Sequence, residues 1–95
     1  MEESRRPPVK REVLLSSHAQ QEFTNLDTRN RDRIRNALER FASSGRGDLK
    51  KLRGVHGGPD LYRLRVGDYR VVFDLSPTEL KVTRIIHRGA GYDWL

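Results

Sequence analysis

The sequence predicts a single α+β domain in which two N-terminal helices pack on one face of a small antiparallel sheet. Three observations carry that prediction. Residues 61–75 read LYRLRVGDYRVVFDL, two runs rich in β-branched and aromatic residues around Gly67-Asp68, a pair able to supply the positive φ of a two-residue hairpin turn. Upstream, apolar residues recur at helical spacing in two adjacent segments, and downstream the chain returns to a strand-like composition. A chain of 95 residues has room for one core of modest size.

The first eight residues, MEESRRPP, are polar and proline-containing and are expected to be an unfolded tail, leaving residues 9–95 as the working domain. Lys10 to Leu15 reads as a short first strand. Ser17-His18-Ala19-Gln20 fits a capping box that opens a helix running to about Leu26, with Ala19, Phe23 and Leu26 on its core face. Asp27 and Thr28 can cap a second helix through about Ser43, where Ile34, Leu38 and Phe41 repeat at spacings of four and three. Gly45 is placed to end it. The opposite surface holds Arg29, Arg31, Arg33, Arg35 and Arg40 against Asp32 and Glu39, the pattern of a solvated face. So short a connection makes the two helices an antiparallel hairpin. Gly45 to Pro59 reads as a glycine-rich loop interleaving Lys50, Lys51, Arg53 and His56. Ser76-Pro77-Thr78-Glu79 is a turn, and Leu80 to His87 is the last strand.

Folding the hairpin on Gly67-Asp68 sets Val66 opposite Tyr69, Arg65 opposite Arg70, Leu64 opposite Val71 and Arg63 opposite Val72. Alternation then gathers Tyr62, Leu64, Val66, Tyr69, Val71, Phe73 and Leu75 on one face, and Arg63, Arg65 and Arg70 on the other. Like charges directly opposite each other cost a few tenths to about 1 kcal/mol. The arginine face is therefore either an anion-binding surface or a solvated one with its side chains splayed apart. Pairing Leu75 with Leu80 sets Asp74 against Lys81 and sends Thr83, Ile85 and His87 to the arginine face. The same register turns Arg84 toward the helices, which fits only at an edge or beside a bulge.

Net charge is +6. Between Arg46 and Arg70, seven basic residues stand against three acidic ones, an excess of +4 around the hairpin. Nucleic acid, an acidic protein partner, or both are implied. Cysteine is absent, so disulfide and thiolate chemistry are excluded and a reducing, cytoplasmic setting is the simplest reading. No membrane-spanning run or signal peptide is read in the chain, and no membrane partner is expected. His18, His56 and His87 are scattered without metal-ligand spacing, and phosphate-loop, dinucleotide and serine-nucleophile motifs are missing. No metal or small-molecule cofactor is expected. A basic face with a few proton-transferring groups suits RNA, whose 2′-hydroxyl supplies an internal nucleophile, leaving the protein to position, neutralise charge and move protons.

KLRG at Lys51 to Gly54, YRLRVGDYRVVF at Tyr62 to Phe73, His87-Arg88 and Tyr92 together resemble the RelE/ParE superfamily of bacterial and archaeal type II toxins. The order strand, two helices, three strands matches too, and the likeness covers Lys10 to Tyr92. It implies a toxin neutralised by a co-expressed acidic antitoxin. RelE-like members are ribosome-dependent endoribonucleases that cut messenger RNA, whereas ParE-like members share the fold and poison DNA gyrase without nuclease chemistry. By resemblance to the RelE-like site, Arg63, Arg65, Arg70, Arg88 and Tyr92 are candidate site residues. The catalytic set read here is Arg65, Arg70, His87, Arg88 and Tyr92, with Lys50, Lys51, Arg53, His56 and Arg63 binding RNA. Positions 63 and 65, often lysine in that group, are arginine here, and arginine stays protonated at any working pH. Proton abstraction then falls to His87, His56 or Tyr92. Each has a plainer alternative: Arg88 and His87 as surface residues, Tyr92 packed on the sheet, and Trp94 beside it as core cover.

Overall fold

The runs on either side of Gly67 form the strands β3 (Leu61–Val66) and β4 (Tyr69–Leu75). Gly67 takes a φ of 59°, the left-handed value that the turn requires. The computed structural model describes residues 10–52 and 61–90. Before the hairpin lie β1 (Glu12–Leu15), α1 (Ser17–Thr24), α2 (Thr28–Ser44) and β2 (Asp48–Leu52); after it come β5 (Glu79–His87) and a single 3-10 turn, Arg88–Ala90. The five strands form one sheet in the order β1-β5-β4-β3-β2. All neighbours are antiparallel except β1 and β5, which run parallel, so the sheet is mixed. The α+β class and the two-helix layer on one face are as the sequence predicts.

Two local expectations need correction. The segment after Gly45 is not loop throughout, because Asp48–Leu52 pairs along β3 as the edge strand β2. Its charged sequence, DLKKL, carries little alternation, which is how open edges are kept from pairing with other chains. The first helix is capped by Ser16 rather than Ser17: the Ser16 hydroxyl accepts from the Ala19 amide at 3.1 Å and donates to the Thr83 carbonyl at 3.2 Å. Gln20 donates instead to the Thr24 hydroxyl. Asp27 does begin α2, but its carboxylate takes the Asn30 amide at 2.7 Å rather than a backbone donor, and that bond holds its pKa below the usual carboxylate range. Gly45 ends α2 at φ 74°.

Ala19 of α1 and Ile34, Leu38, Phe41 and Ala42 of α2 pack on Leu64, Val71, Phe73, Leu80, Val82 and Ile85 of the sheet, with Phe23 and Leu26 half-buried against them. Beyond β1 the edge of β5 is covered by α1. The Glu22 carboxylate accepts the Ile85 amide at 2.7 Å and two Arg84 nitrogens at 3.1 and 2.9 Å. No helix among the described residues is long and apolar enough to cross a membrane.

Candidate nucleic-acid interface

The hairpin register is the one its turn dictates, with Arg65 opposite Arg70 and Arg63 opposite Val72. Strand β2 extends that face by setting Lys50 opposite Arg63 and Asp48 opposite Arg65. Strand β5 adds Ile86 opposite Arg70. Directly paired residues share a face, so the side of the sheet away from the helices carries Lys50, Arg63, Arg65 and Arg70 with Asp48 as their acidic neighbour. Val72 and Ile86, 0% and 5% exposed, form its apolar floor.

The cations on this face are weakly engaged. Arg65 Nε stands 3.8 Å from Asp48 Oδ2, and both side chains are more than half exposed, so the pair contributes little to stability. Arg63 Nε is buried and has no hydrogen-bond partner among the described residues. A buried donor left in that state costs about 1–3 kcal/mol, which an anion accepting from it would recover. Arg70 folds back over the turn, its Nη1 donating to the Tyr69 carbonyl at 3.2 Å and lying 3.5 Å from that of Gly67. Arg88 meets the same turn from β5. Its amide donates to the Asp68 carbonyl at 2.7 Å and its Nε stands 3.6 Å from the Asp68 carboxylate.

The expected placement of Thr83, Ile85 and His87 on the arginine face is overturned by a bulge. Phe73 pairs with Val82 but Val72 pairs with Arg84, so Thr83 is the extra residue, its hydroxyl donating to the Val72 carbonyl. Every residue after it changes face. Ile85 enters the core at 4% exposure. Arg84, relieved of the helix side, runs to the sheet edge and Glu22. His87 falls opposite Tyr69, its ring edge-on at 5.3 Å, on the helix side of the sheet. Its Nδ1 accepts the Gly89 amide at 3.2 Å.

Lys51 lies opposite Tyr62, which also puts it on the helix side, apart from Lys50. Arg53, His56 and Tyr92 lie outside the described residues, as do the N-terminal tail and Trp94. Among the described residues no group of three or more His, Cys, Asp or Glu stands close enough together to hold a metal ion. Arg33 of α2, expected only as part of a solvated helix face, brings its guanidinium to 3.2–3.3 Å from the point where a Cβ on Gly67 would stand. Its helical spacing from Arg29 was the available signal.

The model of the ParE toxin family, toxins of the type II toxin-antitoxin system parDE, matches residues 13–92. Toxin RelE3 of Methanocaldococcus jannaschii is 36% identical over 47 residues, a match that covers 50% of this chain and 50% of that relative's length. Among solved structures, the archaeal RelE-RelB complex from Pyrococcus horikoshii superposes with a TM-score of 0.71 at 24% identity, covering 87% of this chain and 100% of the other. The RelB-RelE antitoxin-toxin complex from Methanococcus jannaschii gives 0.67 at 25% identity, covering 87% and 99%. The YoeB dimer from Staphylococcus aureus gives 0.66 at 17%, covering 83% and 98%, a likeness of fold alone.

Proposed function

The chain belongs to the ParE toxin family of type II toxin-antitoxin systems, and from that premise we propose that it is an endoribonuclease that cleaves messenger RNA on the ribosome without a metal requirement. The observation that carries this reading is the arginine face itself, with the buried Arg63 Nε finding no acceptor among the described residues. It is supported by the 36% identity to a RelE toxin over half the chain. The RNA's 2′-hydroxyl attacks the adjacent phosphorus, the bond from phosphorus to the 5′-oxygen breaks, and the products are a 2′,3′-cyclic phosphate and a 5′-hydroxyl. Arg63, Arg65 and Arg70 hold the phosphate and neutralise the charge that builds on its oxygens, with Arg88 at the turn beside them. Lys50 extends the RNA path. None of these cations can accept the 2′-hydroxyl proton, and His87 lies on the helix side of the sheet, opposite Tyr69, with its Nδ1 bonded to the Gly89 amide. In this proposal that role passes to Tyr92 or His56, and the proton taken from the 2′-hydroxyl is balanced by one delivered to the departing 5′-oxygen, with Arg53 as a further contact to RNA. The ribosome holds and bends the messenger, and the reaction takes place in the cytoplasm.

The matched family description favours a second reading, a toxin that binds and poisons DNA gyrase without nuclease activity. Inducible expression followed by separate assays of translation and DNA supercoiling distinguishes the two. Loss of translation with messenger fragments ending in 5′-hydroxyls is the expected result. Lost supercoiling with translation intact would replace it with the gyrase reading. By likeness to the two archaeal complexes, the partner that silences the protein is an antitoxin. The charge of the face calls for an acidic one.

A further inference from the structure

The proposed site uses one basic surface, yet α2 carries another. At 3.6 residues per turn, Arg29, Arg33, Asn36 and Arg40 fall within about 60° of one another on the helix surface, along a line of about 16 Å. All four side chains are exposed. Arg29, Arg33 and Arg40 make no side-chain hydrogen bond or ion pair among the described residues, whereas their neighbours are engaged. Arg31 donates to the Thr24 carbonyl and Thr28 hydroxyl, and Arg35 pairs with Asp32 at 2.9 Å beside the Phe23 ring. Arginines four apart on a helix repel, so the stripe destabilises α2 slightly when nothing is bound.

The stripe is joined to the arginine face at one residue. Gly67 is approached from the sheet by Arg70, 3.5 Å from its carbonyl, and from α2 by the Arg33 guanidinium. The cations thus form a track that runs off the sheet, over the hairpin turn and along the helix. We infer that this track is a second RNA contact, in which Arg29, Arg33 and Arg40 grip the phosphate backbone of double-helical RNA while the sheet face holds the strand to be cut. Guanidinium forks match phosphate oxygens in pairs. A helix that presents its arginines at regular intervals suits a duplex, whose phosphates stand at fixed positions and which is recognised by shape and backbone rather than by sequence. A protein partner is disfavoured because such interfaces need an apolar centre. The stripe has none, and the exposed large apolar side chain among the described residues, Leu49, lies on β2. The inference rests on the ribosomal reading only for where the duplex is found, which is ribosomal RNA.

The test measures binding of a fluorescent 20-base-pair RNA duplex against salt, for the parent protein and R29Q/R33Q/R40Q. Each phosphate contact contributes about 0.9 to the slope of log affinity on log salt in B-form DNA, so the variant should lose about 2–3 from its slope and bind more weakly at every salt concentration below about 0.2 M. Its thermal melt should be unchanged or raised, and R33Q alone, with a loss of about 1, serves if the triple variant misfolds. A slope equal to the parent's overturns the track. So does weakened capture of an acidic antitoxin peptide with duplex binding intact. Cleavage on programmed ribosomes is measured in parallel: a reduced slope with no cleavage by the parent keeps the track and rejects the nuclease, and the converse does the opposite.

Discussion

At the scale of single residues, Arg70 is where stability and function pull apart. It faces Arg65 across the hairpin and Ile86 on its other side, and its own bonds go to backbone carbonyls of the turn. Arg70→Ala should therefore leave the protein folded and equally stable or more stable by up to about 1 kcal/mol, because a repulsive pair is relieved. Removing one preorganised charge should lower the cleavage rate about 100-fold to 1,000-fold. Growth inhibition at parental strength by a well-folded Arg70→Ala protein would reject the site. His87 gives the opposite expectation. With its ring against Tyr69 and Nδ1 bonded to the Gly89 amide, His87→Gln should change single-turnover cleavage by less than about threefold, against the 100-fold or more that a general acid or base contributes. A slowing of that larger size would return the proton transfer to His87. The arginine pairing was legible because a two-residue turn fixes register by counting. The place of His87 was not, because one inserted residue at Thr83 reverses the parity of everything after it, and the awkward placement of Arg84 in the unbulged register signals an edge or a bulge without saying which.

Among the elements, β2 and α1 hold what the sequence pattern concealed. Strand β2 starts at Asp48 because Gly47 lets the chain pass close to the core. A Cβ there would stand 2.6 Å from Leu64 Cδ1, and Leu64 is 1% exposed with no room to yield. Gly47→Ala should cost about 1–3 kcal/mol, read as a lower urea midpoint, and should disturb the edge that carries Lys50. An unchanged midpoint would mean that the approach is looser than described. Helix α1 protects the opposite half of the sheet, where Glu22 serves the Ile85 amide and Arg84 together. Glu22→Ala removes the carboxylate that the Ile85 amide and Arg84 share and should lower stability by about 1–3 kcal/mol, or roughly 4–24 °C in melting temperature for a domain of this size. Glu22→Gln, which keeps an acceptor for Ile85, should lose less, and equal losses for the two variants would assign the effect to the ion pair alone. Helical periodicity made α1 and α2 readable in advance. An edge strand of charged residues and a carboxylate acting across 63 positions of sequence leave no such local mark.

For the whole molecule, with its net charge of +6, the weakly engaged cations and the main apolar concavity lie on different surfaces. Lys50, Arg63, Arg65 and Arg70 lie on the open face of the sheet and Arg29, Arg33 and Arg40 on the outer stripe of α2, while Val13, Leu15, Phe23 and Leu38, joined by Arg35 and Glu39, line a concavity of about 240 Å³ between β1 and the two helices. An antitoxin that silences the protein has to satisfy both characters. An acidic segment that folds on binding can cover the face near Arg65 and Arg70, and an apolar segment can pack against the helical side. Complementary charge acts mainly on encounter and is screened beyond about 8 Å at physiological salt, whereas buried apolar contacts are not. Association should therefore slow about tenfold or more between 0.05 and 0.5 M salt while the dissociation rate changes little, a separation that surface plasmon resonance reads directly. An acidic gene product encoded beside this chain that fails to bind at either low or physiological salt, or that binds without restoring growth, would count against the assignment of that product as the partner. A dissociation rate rising with salt as steeply as association falls would show that charge alone holds the complex, and that the groove beside Phe23 is not part of it.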